Sequence, residues 1–169
     1  FEAFESPNFP ALAEVGVDVK FDLDHFLKKR IEPFSPKDVF SDAVGVLYLF
    51  AGITMDTIKA TFSNPKNEVY IMRTFGSGNG PTHKDFLEFL ENEIKQDKVI
   101  LNITQCDRGA VDQGKYESSG AYKNIGILGG LDMTFEAAIT KSMFLLGQGF
   151  SGKELKQKLI EPICGELSI

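Results

Sequence analysis

Val99-Ile-Leu-Asn-Ile-Thr-Gln-Cys106 is the stretch on which the reading of the chain turns. Its apolar run, Val99 to Ile103, predicts a buried strand, so Thr104, Gln105 and Cys106 stand at that strand's carboxyl end. In an open parallel sheet, ligands bind at that end. A glycine-punctuated loop follows, and Asp132-Met-Thr134 ahead of an apolar-striped segment reads as a helix cap. Thr104 to Lys141 is therefore the part around which the rest is organised.

Working outward, the same rhythm recurs upstream. Val44-Gly-Val-Leu-Tyr-Leu-Phe50 is almost continuously apolar and predicts a strand covered on both faces. Thr54 is a candidate N-cap for a helix carrying Ile58 and Phe62, which Asn64-Pro65 stops. Val69-Tyr-Ile-Met72 is the next strand, ending in Arg73-Thr-Phe-Gly-Ser-Gly-Asn-Gly80. Thr82 with Asp85 offers a capping box, and Phe86, Leu87, Leu90 and Ile94 form the apolar stripe of the helix after it. The acidic run on its other side is a solvated face. Downstream, Tyr116 to Gly126 predicts a short helix and Ile127-Leu128 a short strand. Thr134 to Gln148 predicts a helix whose core stripe is Phe135, Ile139, Met143 and Leu146 with Ala138 and Leu145 beside them, and a last helix runs from Ser151 or Gly152 through Leu159 to Pro162. Strand and helix alternate at least three times, so the class is α/β with a mainly parallel sheet. Nearer the amino end, Glu5 to Pro10 is a proline-bounded loop and Val15 to Phe21 alternates as a half-buried strand. Asp22 to Pro36 reads as a charged connector, or as a short helix lined by Phe26, Leu27 and Ile31.

Composition sets the limits. The 169 residues, 43% hydrophobic, suit one domain with a sizeable core. Eighteen basic against 24 acidic side chains give a net charge of −6 and a pI near 5.0, which disfavours nucleic acid or an anionic membrane as partner. Two cysteines are too few for a disulfide scaffold and fit a reducing, cytoplasmic setting. There is no apolar run of the ~20 residues needed to span a bilayer. The chain opens at Phe1 in mid-pattern, so we expect a piece of a longer protein.

The loops after the strands hold the residues able to carry chemistry. Gly76-Ser-Gly-Asn-Gly80 resembles a phosphate-cradling turn, but it is neither Gly-x-Gly-x-x-Gly nor a lysine-bearing phosphate loop, and a tight strand-to-helix turn explains its glycines. Cys106 as a nucleophile needs a base; only His25 and His83 are available, and a quiet thiol lining a pocket is the plainer reading. Two cysteines and two histidines without ligand spacing make no zinc site.

Five motifs occur in order along essentially the whole chain: Ala3-Phe-Glu-Ser-Pro-Asn-Phe-Pro-Ala-Leu-Ala-Glu-Val-Gly16, Thr74-Phe-Gly-Ser-Gly-Asn-Gly-Pro81, Asn102-Ile-Thr-Gln-Cys106, Gly109-Ala-Val111 and Gly130-Leu-Asp-Met-Thr-Phe-Glu-Ala-Ala138. Together they resemble the C-terminal half of cytosolic, type I L-asparaginases, the animal form above all. The resemblance implies a three-layer Rossmann-like or flavodoxin-like domain with about four parallel strands over residues 36–169, preceded by an inter-domain connector and first strand over 1–35. It implies hydrolysis of L-asparagine to L-aspartate and ammonia by a threonine nucleophile, with no metal or cofactor. The family's catalytic threonine motifs belong to an N-terminal domain and neither tripeptide core occurs here, so no catalytic residue is expected in this chain.

The same resemblance implies a site shared between subunits of a homodimer or homotetramer, in which Asn79 binds substrate. It also assigns an allosteric asparagine site to Arg73, Thr104 and Cys106. The glutamate that secreted relatives place in the neighbour's site is not matched around Gly109 to Tyr116, so its role is not assigned to Glu117. Animal forms also carry downstream ankyrin repeats and are associated with lysophospholipid hydrolysis. Two further readings stand beside this one: the asparaginase-like subunit of a tRNA-dependent amidotransferase, and a non-catalytic small-molecule binding domain.

Overall fold

A computed structural model describes residues 10–25, 33–111 and 117–168. The segment expected as one half-buried strand, Val15 to Phe21, is instead a hairpin: β1 (Ala13–Val15) pairs antiparallel with β2 (Val19–Phe21). Gly16 donates its amide to the Asp18 carbonyl at 3.0 Å, and the chain reverses there. Apolar–polar alternation continues across such a turn, so it could not reveal the break. Both strands are exposed along their length, with Val15 83% and Phe21 61% accessible. A 3-10 turn, Leu23–His25, follows. Most of the loop expected at Glu5 to Pro10 lies outside the described residues, as do Phe26, Leu27 and Ile31 of the connector.

The main sheet contains β3 (Val44–Tyr48), β4 (Val69–Thr74), β5 (Val99–Thr104) and β6 (Leu128–Gly129), all parallel and adjacent in chain order. Helices α1 (Met55–Thr61), α2 (Lys84–Lys95) and α3 (Glu117–Asn124) form the three crossovers. Right-handed crossovers that always step the same way place all three helices on one face. The other face is left to α4 (Phe135–Gly147) and α5 (Gly152–Leu159).

The side chains divide accordingly. From β4, Tyr70 and Met72 pack with Ile58, Phe62, Phe86, Leu90 and Tyr122 of the crossover helices. Val69 and Ile71 of the same strand pack with Ala138, Leu145, Leu155 and Leu159 of α4 and α5. β5 repeats the division, with Ile100 on the first face and Val99, Leu101 and Ile103 on the second. Period-2 alternation on strands buried from both sides thus builds two cores and a three-layer α/β domain. Each fully buried aliphatic or aromatic side chain contributes about 1.5–3 kcal/mol.

Local signals hold in part. Thr54 and Thr134 cap α1 and α4, accepting from the amides of Thr57 at 3.3 Å and Ala137 at 3.2 Å. Thr82 does not cap α2: the helix begins at Lys84 behind His83, so the Thr82 hydroxyl sits one residue too early to reach the first-turn amides. β3 is an edge strand with Val46 and Tyr48 exposed, rather than a strand covered on both faces. In α4 the buried positions are the expected Ala138 and Leu145 together with Lys141 and Ser142, while the stripe residues Phe135, Ile139 and Leu146 are partly buried against the same core. These buried positions are spaced as one helical stripe, and Lys141 within it is paired with Glu166.

Candidate functional site

At the carboxyl end of the sheet, side chains of β5 hold down the loop that leaves β4. That loop is a tight turn in which Phe75 and Asn79 exchange backbone hydrogen bonds, each 2.8 Å long. Thr104, the last residue of β5, donates its hydroxyl to the Gly76 carbonyl at 2.5 Å and accepts the Cys106 amide at 3.0 Å. One hydroxyl therefore fixes both the β4 turn and the start of the loop after β5. Asn79 stands half-buried at the far side of the turn, and Cys106 is exposed.

Arg73 is placed differently. It pairs in register with Ile103, while Thr74 pairs with Thr104, so strict alternation sends the Arg73 and Thr104 side chains to opposite faces. The Arg73 guanidinium lies between two rings, 4.9 Å from the centroid of Tyr48 and 4.5 Å from that of Phe135. Such stacking is worth about 0.5–2 kcal/mol per contact, depending on desolvation. Its Nε is buried without a hydrogen-bond partner. Phe135 opens α4, so the guanidinium stands beside that helix's amino end. The structure thus joins Thr104 and Cys106 to the Asn79 turn and puts Arg73 across the sheet, at the same strand ends.

Three residues to which sequence reasoning gave no role complete the site. The Gln105 carboxamide donates to the carbonyls of Leu49 at 2.6 Å and Arg73 at 2.9 Å, strapping the end of β4 to the residue following β3. Thr74 and Asn102, both fully buried, bond to each other at 2.6 Å. The available signal was an asparagine inside an apolar strand, since a buried carboxamide must find partners. Further along, burial pushes the Tyr122 phenol above its ordinary range, so its hydroxyl stays protonated and donates to the Pro81 carbonyl at 2.9 Å. Among the described residues no group of three or more His, Cys, Asp or Glu is arranged to hold a metal ion, and no helix is long and apolar enough to cross a membrane.

Residues 43–159 match the family described as Glutaminase/Asparaginase C-terminal domain. L-asparaginase 1 of Escherichia coli K12 is 32% identical over 99% of this chain and 49% of its own length. A 60 kDa lysophospholipase of Mus musculus is 40% identical over the whole chain and 30% of its own length. The crystal structure of L-asparaginase I from Vibrio cholerae superposes on the full chain with a TM-score of 0.89 at 32% identity, covering 51% of that protein. The chain thus spans about half the length of these asparaginases and less of the mouse protein.

Proposed function

Because the chain belongs to the glutaminase/asparaginase C-terminal domain family, we propose that it is the C-terminal half of an L-asparaginase, hydrolysing L-asparagine to L-aspartate and ammonia in the cytoplasm. The observation that carries this reading is the match across residues 43–159 combined with the Asn79 turn, held at the strand ends by Thr104 and Asn102. Asn79 offers a carboxamide that can both donate to and accept from the amino and carboxylate groups of an amino-acid substrate. The nucleophile and oxyanion donors of an amide hydrolase are supplied by an N-terminal half, and two or four copies assemble so that the site is shared. Residues 1–35 serve as the connector to that half. The exposed apolar side chains of Val15, Val17, Val19, Phe21 and Leu23, outside the family match, support a docking role for the hairpin.

In this reading Arg73, Thr104 and Cys106 form an effector site for L-asparagine that spans the strand ends, with Arg73 reaching it from the face opposite Thr104. Its support is the buried, unpartnered Nε of Arg73, which an incoming α-carboxylate would satisfy in a charge-assisted bond. Hydrolysis of a lysophospholipid ester is a second reading, favoured by the mouse relative. The excess of 24 acidic over 18 basic side chains weighs against a tRNA-dependent role.

Ammonia release from L-asparagine by the full-length protein tests the main reading. Asn79→Ala should raise KM about tenfold or more, as loss of a directly bonded substrate group does. Arg73→Ala should abolish any sigmoidal dependence on asparagine while leaving turnover at saturation within about twofold. A full-length protein inert toward asparagine but active on lysophospholipid would replace the first reading with the second.

A further inference from the structure

Thr74 and Asn102 form a polar pair inside the core whose geometry is directed at the Asn79 turn. Both side chains are completely buried, on one face of neighbouring strands. Thr74 Oγ1 donates to Asn102 Oδ1 at 2.6 Å, with the Ile103 carbonyl as a longer second acceptor at 3.2 Å. That donation sets which way round the carboxamide lies. With Oδ1 occupied as acceptor, Nδ2 faces the Gly78 carbonyl and donates to it at 3.2 Å. The opposite orientation would set oxygen against oxygen in a buried site, where an unmade bond is costly.

Gly78 is pressed closely onto this pair. Its φ is +103°, and a Cβ there would stand 2.7 Å from Val111 Cγ1 and 3.3 Å from Asn102 Nδ2. The Asn102 backbone is fixed as well, its carbonyl accepting the Gly130 amide at 2.8 Å. Filling this volume alone would suit an apolar pair, because replacing both partners of a buried hydrogen bond by apolar groups of the same shape can be nearly neutral. What the polar pair adds is direction: it fixes the carbonyl of the residue immediately before Asn79.

We propose that Asn102 is a positioning residue for the substrate-binding Asn79, acting through Gly78, and that Thr74 sets the orientation of Asn102. The proposal rests on the reading of Asn79 as a substrate ligand. Because Asn79 binds substrate and does not attack it, loosening the turn weakens binding and spares the chemical step, so the effect falls on KM.

Steady-state kinetics on L-asparagine with the full-length protein test this, using Thr74→Val, Thr74→Ser, Asn102→Asp and Asn79→Ala, with thermal midpoints measured in parallel. Thr74→Val keeps the shape and removes the donor. Asn102→Asp keeps the acceptor and turns a carboxylate oxygen toward Gly78. Both should raise KM about tenfold with kcat within about threefold, the size expected for a misplaced binding group, and Thr74→Ser should keep the wild-type KM. A lowered midpoint with wild-type KM in Thr74→Val makes the pair a packing feature and overturns the proposal, whether or not Asn102→Asp folds. If Asn79→Ala raises KM and Thr74→Val does not, the positioning role alone falls. If Asn79→Ala leaves KM unchanged, the reading of Asn79 falls and the positioning role with it.

Discussion

The Lys141 ammonium lies 2.6 Å from a Glu166 carboxylate oxygen, with 3% and 9% of the two side chains exposed. Lys141 also donates to the Glu161 carbonyl, and Glu166 accepts the amides of Ile163 at 3.0 Å and Cys164 at 2.8 Å. Burial pushes the Glu166 carboxyl up, but the bonds from Lys141 and these amides outweigh it and hold it at about 2, against an ordinary value of 4.5. The stabilisation is therefore fully present above about pH 4.5 and is lost as pH falls through about 2. Thermal midpoints should drop across that window in the wild type and drop less in Glu166→Gln. At neutral pH that variant should lose about 3–5 kcal/mol, because it strands a buried ammonium. Equal acid slopes in the two proteins would show that the pair is not their source. At this scale the sequence was legible where the signal is local, as at the Thr54 and Thr134 caps. It was silent where a side chain finds its partner far along the chain, as Lys141 does with Glu166 and Asn102 with Thr74.

Among the elements, α4 shows how a helix end can be shaped by what crosses it. Ser41 donates its amide to the Met143 carbonyl at 2.9 Å, and Gln148 donates its carboxamide to the Val39 carbonyl at 2.9 Å. Residues 39–41 thus lie across the last turns of the helix. A Cβ on Gly147 would stand 2.6 Å from Phe40 Cα, backbone that cannot step aside cheaply. Helix propensity alone predicts that Gly147→Ala stabilises by up to about 1 kcal/mol. The crossing segment reverses the sign, and denaturant unfolding should show a loss of about 1–3 kcal/mol. Apolar runs and caps made the α/β alternation legible, because each run is long enough to declare its period. The hairpin was not, because Gly16 to Asp18 reverses the chain without interrupting the apolar–polar alternation.

On the scale of the molecule, two cores share one sheet, and the hairpin carries its apolar residues outside both. A two-stranded hairpin alone is marginal in water, so its partner surface decides its contribution. Phe21→Glu should leave the stability of this chain in isolation within about 0.5 kcal/mol, as exposed substitutions do. In the full-length protein it should lower the thermal midpoint measurably. Equal shifts in both would argue against docking of the hairpin. The parallel sheet and the location of the candidate site at its strand ends followed from pattern. The division of Arg73 and Thr104 between faces did not, since it depends on the register of β4 against β5.

Residues beyond the family match are tied into the same core. The family match closes at residue 159, yet Glu166 neutralises Lys141, Leu167 is 97% buried by complement of its 3% exposure, and the Ser168 amide is held by Asp132 at 2.7 Å. A version cut after residue 159 would keep every helix and strand named above and lose Glu166, the partner of Lys141. Any recombinant half, split reporter or chimaera of this protein should keep residues 160–168.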